Sequence, residues 1–188
     1  MKIFLSWSKS PSEEIGVILK KWLKLVLPET NIYFSLKDTE RGAKWDKEIT
    51  DKLNECKYGI FLITPDNASS MWMHYEAGAI SKKVGNEDPR VTGILFNIKK
   101  GEISGPFAQY QNCGFYKKEI LELVTNLNER TVHTKRTEAE LNKIFELFWP
   151  ELKRDVLDIL NKSKPEPKEQ RKTEDYLDEI VINSRETL

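Results

Sequence analysis

The fifteen residues from Asn67 to Ser81 carry a single formally charged side chain, Glu76. The chain as a whole is 32% charged, so a window of that length would hold about five charges at the average density. The run Met71-Trp72-Met73-His74-Tyr75-Glu76-Ala77-Gly78-Ala79-Ile80 reads as a helix that is apolar nearly all round, and such helices are usually buried. An ionisable group on such a helix is costly unless something pairs with it. A carboxylate kept there is a candidate for chemistry. Trp72 precedes Glu76 by four residues, so the ring and the carboxylate share one helical face. The small triplet Ala77-Gly78-Ala79 lets the helix approach its neighbours closely. His74 reads as a surface or hydrogen-bonded histidine.

Other templates are absent. There is no Gly-x-Gly-x-x-Gly and no Gly-x-x-x-x-Gly-Lys-Ser/Thr, so neither phosphate-cradling loop is present. A tightly held dinucleotide cofactor or an NTPase site is not expected. His74 and His133 have no partners at metal-ligand spacing, so no metal is expected. There is no Gly-x-Ser-x-Gly elbow.

The elements that position Glu76 follow from periodicity. Ile3-Phe4-Leu5-Ser6-Trp7 predicts a central strand. Ser10-Pro11-Ser12-Glu13 predicts a capping box with Pro at the first helical position. Ile15, Ile18, Leu19, Trp22, Leu23 and Val26 continue that helix until Pro28 ends it. Asn31 to Ser35 reads as strand two, followed by a polar loop from Leu36 to Lys44. Trp45, Ile49, Leu53 and Cys56 mark a second helix. Tyr58 to Thr64 is a continuous apolar run, expected of a strand buried on both faces. The Glu76 helix follows, then Val91 to Ile98 as strand four and a short fifth strand near Gln109 to Cys113. Tyr116 to Asn128 looks helical. Thr137-Glu138-Ala139-Glu140 is a second capping box, opening a long amphipathic helix that Pro150 should kink or break.

This alternation predicts an α/β domain over residues 1–162. Its expected form is flavodoxin-like and doubly wound: a mainly parallel five-stranded sheet of order 2-1-3-4-5, with helices on both faces. Residues 163–188 read as a charged linker or tail, disordered or carrying a short helix around Tyr176 to Val181. In open α/β sheets, ligands sit beyond the carboxyl ends of the strands where the strand order reverses. Here that point joins Ser6-Trp7-Ser8-Lys9 to Thr64-Pro65-Asp66-Asn67, with the Glu76 helix leaving the same edge. Asp66-Asn67 reads as a turn before that helix.

Lys plus Arg equals Asp plus Glu, 30 each, so no global field attracts nucleic acid or an anionic membrane. Cys56 and Cys113 lie far apart and suit a reducing compartment. The N-terminus runs straight into a strand without a signal peptide. No apolar run approaches the roughly 18 residues of a membrane span. The expectation is a soluble cytoplasmic protein.

Trp72-x-x-x-Glu76 followed by Ala77-Gly78-Ala79, after an apolar third strand, resembles the active-site helix of Toll/interleukin-1 receptor (TIR) domains. The bacterial, NAD-cleaving branch typified by Thoeris systems is the nearest match. Ile3-Phe4-Leu5-Ser6-Trp7 is similar to that family's opening strand. Asp38 to Trp45 matches the loop that closes over the site and touches neighbouring subunits. This loop lacks the Pro of signalling members, so contacts made by that Pro are not implied. Phe148-Trp149 resembles a Phe-Trp pair of animal members, though two such aromatics also suit a plain core.

The resemblance, over roughly residues 1 to 160, implies cleavage of the nicotinamide glycosidic bond of NAD. NAD is then substrate, with no separate cofactor. It implies Glu76 as the catalytic carboxylate, with Ser6, Trp7 and Trp72 lining the cleft. Ser8 and the start of the first helix are expected near the pyrophosphate, with Lys9, Arg41 and Lys44 as candidate cations. One carboxylate suffices, because nicotinamide leaves a cationic pyridinium as a neutral molecule and needs no general acid, unlike an ordinary glycoside. Implied partners are further copies of the chain and an effector that responds to the nucleotide product in antiphage defence. The competing reading is a non-catalytic module that assembles through homotypic contacts. A nucleoside deoxyribosyltransferase has no supporting motif. A response-regulator receiver needs an acidic cluster where the chain has Thr64 and Ser6-Trp7-Ser8-Lys9.

Overall fold

The structure, a computed structural model, describes residues 1–34, 50–82, 90–131 and 135–163. The strands are β1 (Lys2–Ser6), β2 (Asn31–Phe34), β3 (Tyr58–Ile63), β4 (Arg90–Leu95) and β5 (Cys113–Gly114). The helices are α1 (Ser12–Val26), α2 (described over 50–55), α3 (Met71–Ser81), α4 (Lys117–Glu129) and α5 (Glu138–Lys162). The sheet order is β2-β1-β3-β4-β5 with every neighbouring pair parallel, the doubly wound architecture that the alternation predicts. The strand order reverses between β1 and β3.

Alternation along each strand divides the core into two layers. Ile3, Leu5, Ile60, Leu62 and Ile94 face α1, α4 and α5. Phe4, Phe61, Ile63, Val91 and Leu95 face Leu53 of α2 and the buried stripe of α3. β3 is therefore covered on both faces, and all six of its residues are buried. That explains an unbroken apolar run where a half-exposed strand would alternate.

Three local expectations are corrected. The Ser10 capping box does not form. Lys9 takes φ 65°, Pro11 occupies the cap without a side-chain bond, and Ser10 Oγ donates to Glu14 instead. The fifth strand is two residues long, because Gly105–Gln109 winds into a 3-10 turn and only Ile94 and Leu95 find partners in Cys113 and Gly114. Helix α5 continues through Pro150. Both Pro150 and Glu146, whose carbonyl loses its helical donor, are exposed, so water can satisfy that carbonyl. The Thr137 box forms as predicted: Thr137 Oγ1 accepts from the Glu140 N–H, and the Glu140 carboxylate accepts from the Thr137 N–H at 2.9 Å.

Both cysteines are buried and unpaired with each other. Burial pushes each thiol from 9.0 up to about 12. A thiol reagent at pH 8 is expected to label the native protein slowly and the unfolded chain at both sites rapidly. The folded state holds these protons while the unfolded chain releases them above about pH 9, so stability should fall as pH rises from there. Denaturation at pH 8 and pH 10 checks the sign.

Candidate active site

Helix α3 leaves the carboxyl end of β3 through Thr64 to Ser70. Ser70 caps it, its hydroxyl accepting from the Met73 N–H at 3.4 Å. The buried stripe is Met73, Glu76, Ala77 and Ile80, the i, i+3, i+4, i+7 pattern of a helix packed on a sheet. Glu76 thus occupies the middle of an otherwise apolar seam. The helix is not buried all round, as its composition suggested: Met71 is 84% and Tyr75 48% exposed. Trp72 is half-buried at the rim of this layer, its ring centroid 5.3 Å from that of Tyr75.

Glu76 and Ser6 are both 0% exposed. Ser6 Oγ donates to Glu76 Oε2 at 2.5 Å. Ser6 ends β1 on the face opposite Ile3 and Leu5, which turns its hydroxyl toward α3. The structure therefore joins the end of β1 to the middle of α3 at the reversal of strand order.

Trp7, the next residue, points to the other layer. It packs beside Gly16 of α1 and meets Phe34 edge-on, with ring centroids 4.4 Å apart. The structure does not bring Trp7 onto the face that carries Glu76. Ser8 turns inward through its backbone: its N–H donates to Ser12 Oγ and its carbonyl accepts from Ser12 and Asn67. Lys9 is exposed, and its Nζ reaches the Asp66 carbonyl at 3.3 Å. Arg41 and Lys44 lie outside the described residues. The start of α1 is poorly suited to a pyrophosphate. Its first turn carries Glu13 and Glu14, and the Glu13 N–H is taken by the Lys9 carbonyl.

Asn67, read from sequence as a turn residue, proves to be a junction. Its Oδ1 accepts from the Thr64 N–H at 2.8 Å. Its Nδ2 lies 2.9 Å from the Leu62 carbonyl, 3.0 Å from that of Ser8 and 3.1 Å from Ser12 Oγ. Beside it, Thr64 Oγ1 is buried with no partner among the described residues. His74 bonds the Ala68 carbonyl at 3.0 Å and lies edge-on to Phe107, a structural placement.

A groove of about 860 Å3 lies at the opposite end of the strands, lined by Tyr58, Arg90, Thr92, Asn112 and Glu122 among others, and it includes neither Ser6 nor Glu76. Among the described residues no cluster of His, Cys, Asp or Glu is arranged to hold a metal, and no helix is long and apolar enough to cross a membrane.

No protein-family model matches the chain, and no curated protein matches it in sequence. Among solved structures it is similar to the TIR domains of the activated Roq1 resistosome, which directly recognises the pathogen effector XopQ. That likeness has 14% identity and a TM-score of 0.44 over 86% of this chain and 98% of the other. It is also similar to the azoreductase of Bacillus anthracis str. Sterne, with 9% identity and a TM-score of 0.38 over 86% of this chain and 96% of that one. At these scores neither likeness adds to what the strand order establishes.

Proposed function

We propose that the chain cleaves NAD at the nicotinamide–ribose bond, as a glycohydrolase or cyclase, with Glu76 as its catalytic carboxylate. The observation that carries this reading is the wholly buried Ser6–Glu76 pair at the reversal of strand order, where open α/β sheets bind ligands. The resemblance of the Trp72/Glu76 helix to the TIR active-site helix names the substrate. The C1′–N bond breaks with its electron pair moving to nicotinamide, which becomes neutral. The ribose is left as an oxocarbenium ion. A carboxylate held away from water stabilises that charge more than one in solvent can. Ser6 fixes the carboxylate's orientation through Oε2. Water or a nitrogen of the adenine then attacks C1′, giving ADP-ribose or a cyclic derivative. The new nucleophile's proton passes to the carboxylate or to solvent. On the same resemblance, the product serves a cytoplasmic antiphage response, either by depleting NAD or as a signal to a separate effector.

Incubation of the purified chain with NAD and chromatography of the mixture tests this. Nicotinamide and one ADP-ribosyl product are expected in equal amounts. No release at any protein concentration removes the reading. Assembly is part of the proposal, so specific activity should fall on dilution. A rate strictly proportional to protein down to nanomolar levels would eliminate that part. The alternative, a non-catalytic module that self-associates, is favoured by one observation: α3 exposes Met71 and Tyr75 beside the site. It predicts self-association with NAD left intact.

A further inference from the structure

We infer that Asn67 is a positioning residue that locks the β1–α1 loop to the β3–α3 connection and thereby sets affinity for the dinucleotide. The inference rests on the proposed NAD chemistry for its consequence, and on hydrogen-bond geometry for its cause. Asn67 is 1% exposed, and a buried amide must place its donors and acceptor. Its Oδ1 takes the Thr64 N–H. Its two amide hydrogens face three oxygens: the Leu62 carbonyl of β3, and the Ser8 carbonyl and Ser12 hydroxyl of the β1–α1 segment.

The opposite loop is organised around the same point. Ser12 Oγ lies within 2.9 Å of the Ser8 carbonyl and 2.8 Å of the Lys9 carbonyl, and accepts from the Ser8 N–H. Without Asn67, the Ser8 carbonyl keeps Ser12 alone among the described residues, and Ser12 loses its link to the β3–α3 connection. The remaining described tie between the two loops is Lys9 Nζ to the Asp66 carbonyl, an exposed contact at 3.3 Å. Ser6 and Glu76 do not depend on this junction, because one is held in β1 and the other on the seam of α3. Loosening the loop should therefore shift the segment that follows β1 at the carboxyl edge of the sheet, where the proposed substrate would enter, and leave the carboxylate in place.

Asn67→Asp and Asn67→Ala test this. Asp keeps the shape and the acceptor for Thr64 but loses both amide hydrogens. Two readouts are needed: hydrogen exchange of the amides of Ser8, Lys9, Ser10, Ser12 and Glu13, and steady-state kinetics with NAD. Both variants should lower the unfolding midpoint, and should speed exchange of those amides at least about 10-fold beyond any change at the amides of β3 and β4, which report the loss of global stability. KM should rise about 10-fold with kcat within about 3-fold. Asn67→Ser, which can return one donor, should recover part of both effects if Ala proves too unstable to measure. Unchanged exchange in Asn67→Asp overturns the lock whatever the activity. Faster exchange with unchanged KM in an active enzyme overturns the positioning role. An inactive parent chain with faster exchange in the variants overturns the NAD reading and supports the lock.

Discussion

Glu76→Gln is expected to lower nicotinamide release by about 100-fold or more while the protein stays folded. Gln matches Glu in shape and can still accept the Ser6 hydroxyl through its amide oxygen. What it lacks is the negative charge that, in the proposed mechanism, faces the ribose as nicotinamide departs. Removing one electrostatic stabiliser from a water-excluded site costs about 10²–10³ in kcat elsewhere. Measuring nicotinamide release beside a thermal melt separates lost chemistry from lost fold. A variant that keeps more than a third of the parent rate would take the catalytic role away from this carboxylate.

Phe61→Ala should have the largest effect on stability. Phe61 sits at the centre of β3, wholly buried, on the layer that seats α3. Its ring lies 5.4 Å from that of Phe107. It fills the space left by Gly59, where a Cβ would come within 2.8 Å of Phe61 Cε2. Truncating such a ring costs about 3–5 kcal/mol, transfer and cavity together. Set against a typical domain stability of about 5–15 kcal/mol, that is a large share. Urea denaturation should show the loss as a lower midpoint at unchanged slope. A loss under about 1 kcal/mol would mean that Phe107 and Ile80 collapse into the space, so that the layer is looser than its burial implies.

Much of this was legible in the sequence because the signals were local. The Thr137 box, the apolar run of β3 and the lone charge of Glu76 are each read within a window of fifteen residues or fewer. The features that escaped depend on contacts made elsewhere. Asn67 follows Pro65 and Asp66, a turn by any local criterion, yet its partners Ser8 and Ser12 are 59 and 55 residues away. The Ser10 box has the right spacing, but Lys9 enters the left-handed region and carries Ser10 away from the cap. Gln109 to Cys113 has strand composition, but β4 offers it only two partner residues. Trp7 reads as a cleft residue beside Ser6, whereas the structure turns its ring to the opposite layer, against Gly16 and Phe34. Arg41, Lys44 and the Asp38 to Trp45 loop lie outside the described residues.

The zero exposure of Glu76 also bears on regulation. On the proposed chemistry, a sugar reaches that oxygen only once the packing of α3 against the end of β1 has parted, so the closed form would be latent. If one molecule in about a hundred is open, apparent affinity weakens by about the same factor. Anything that favours the parted form would then raise the proposed activity without adding a single reactive group.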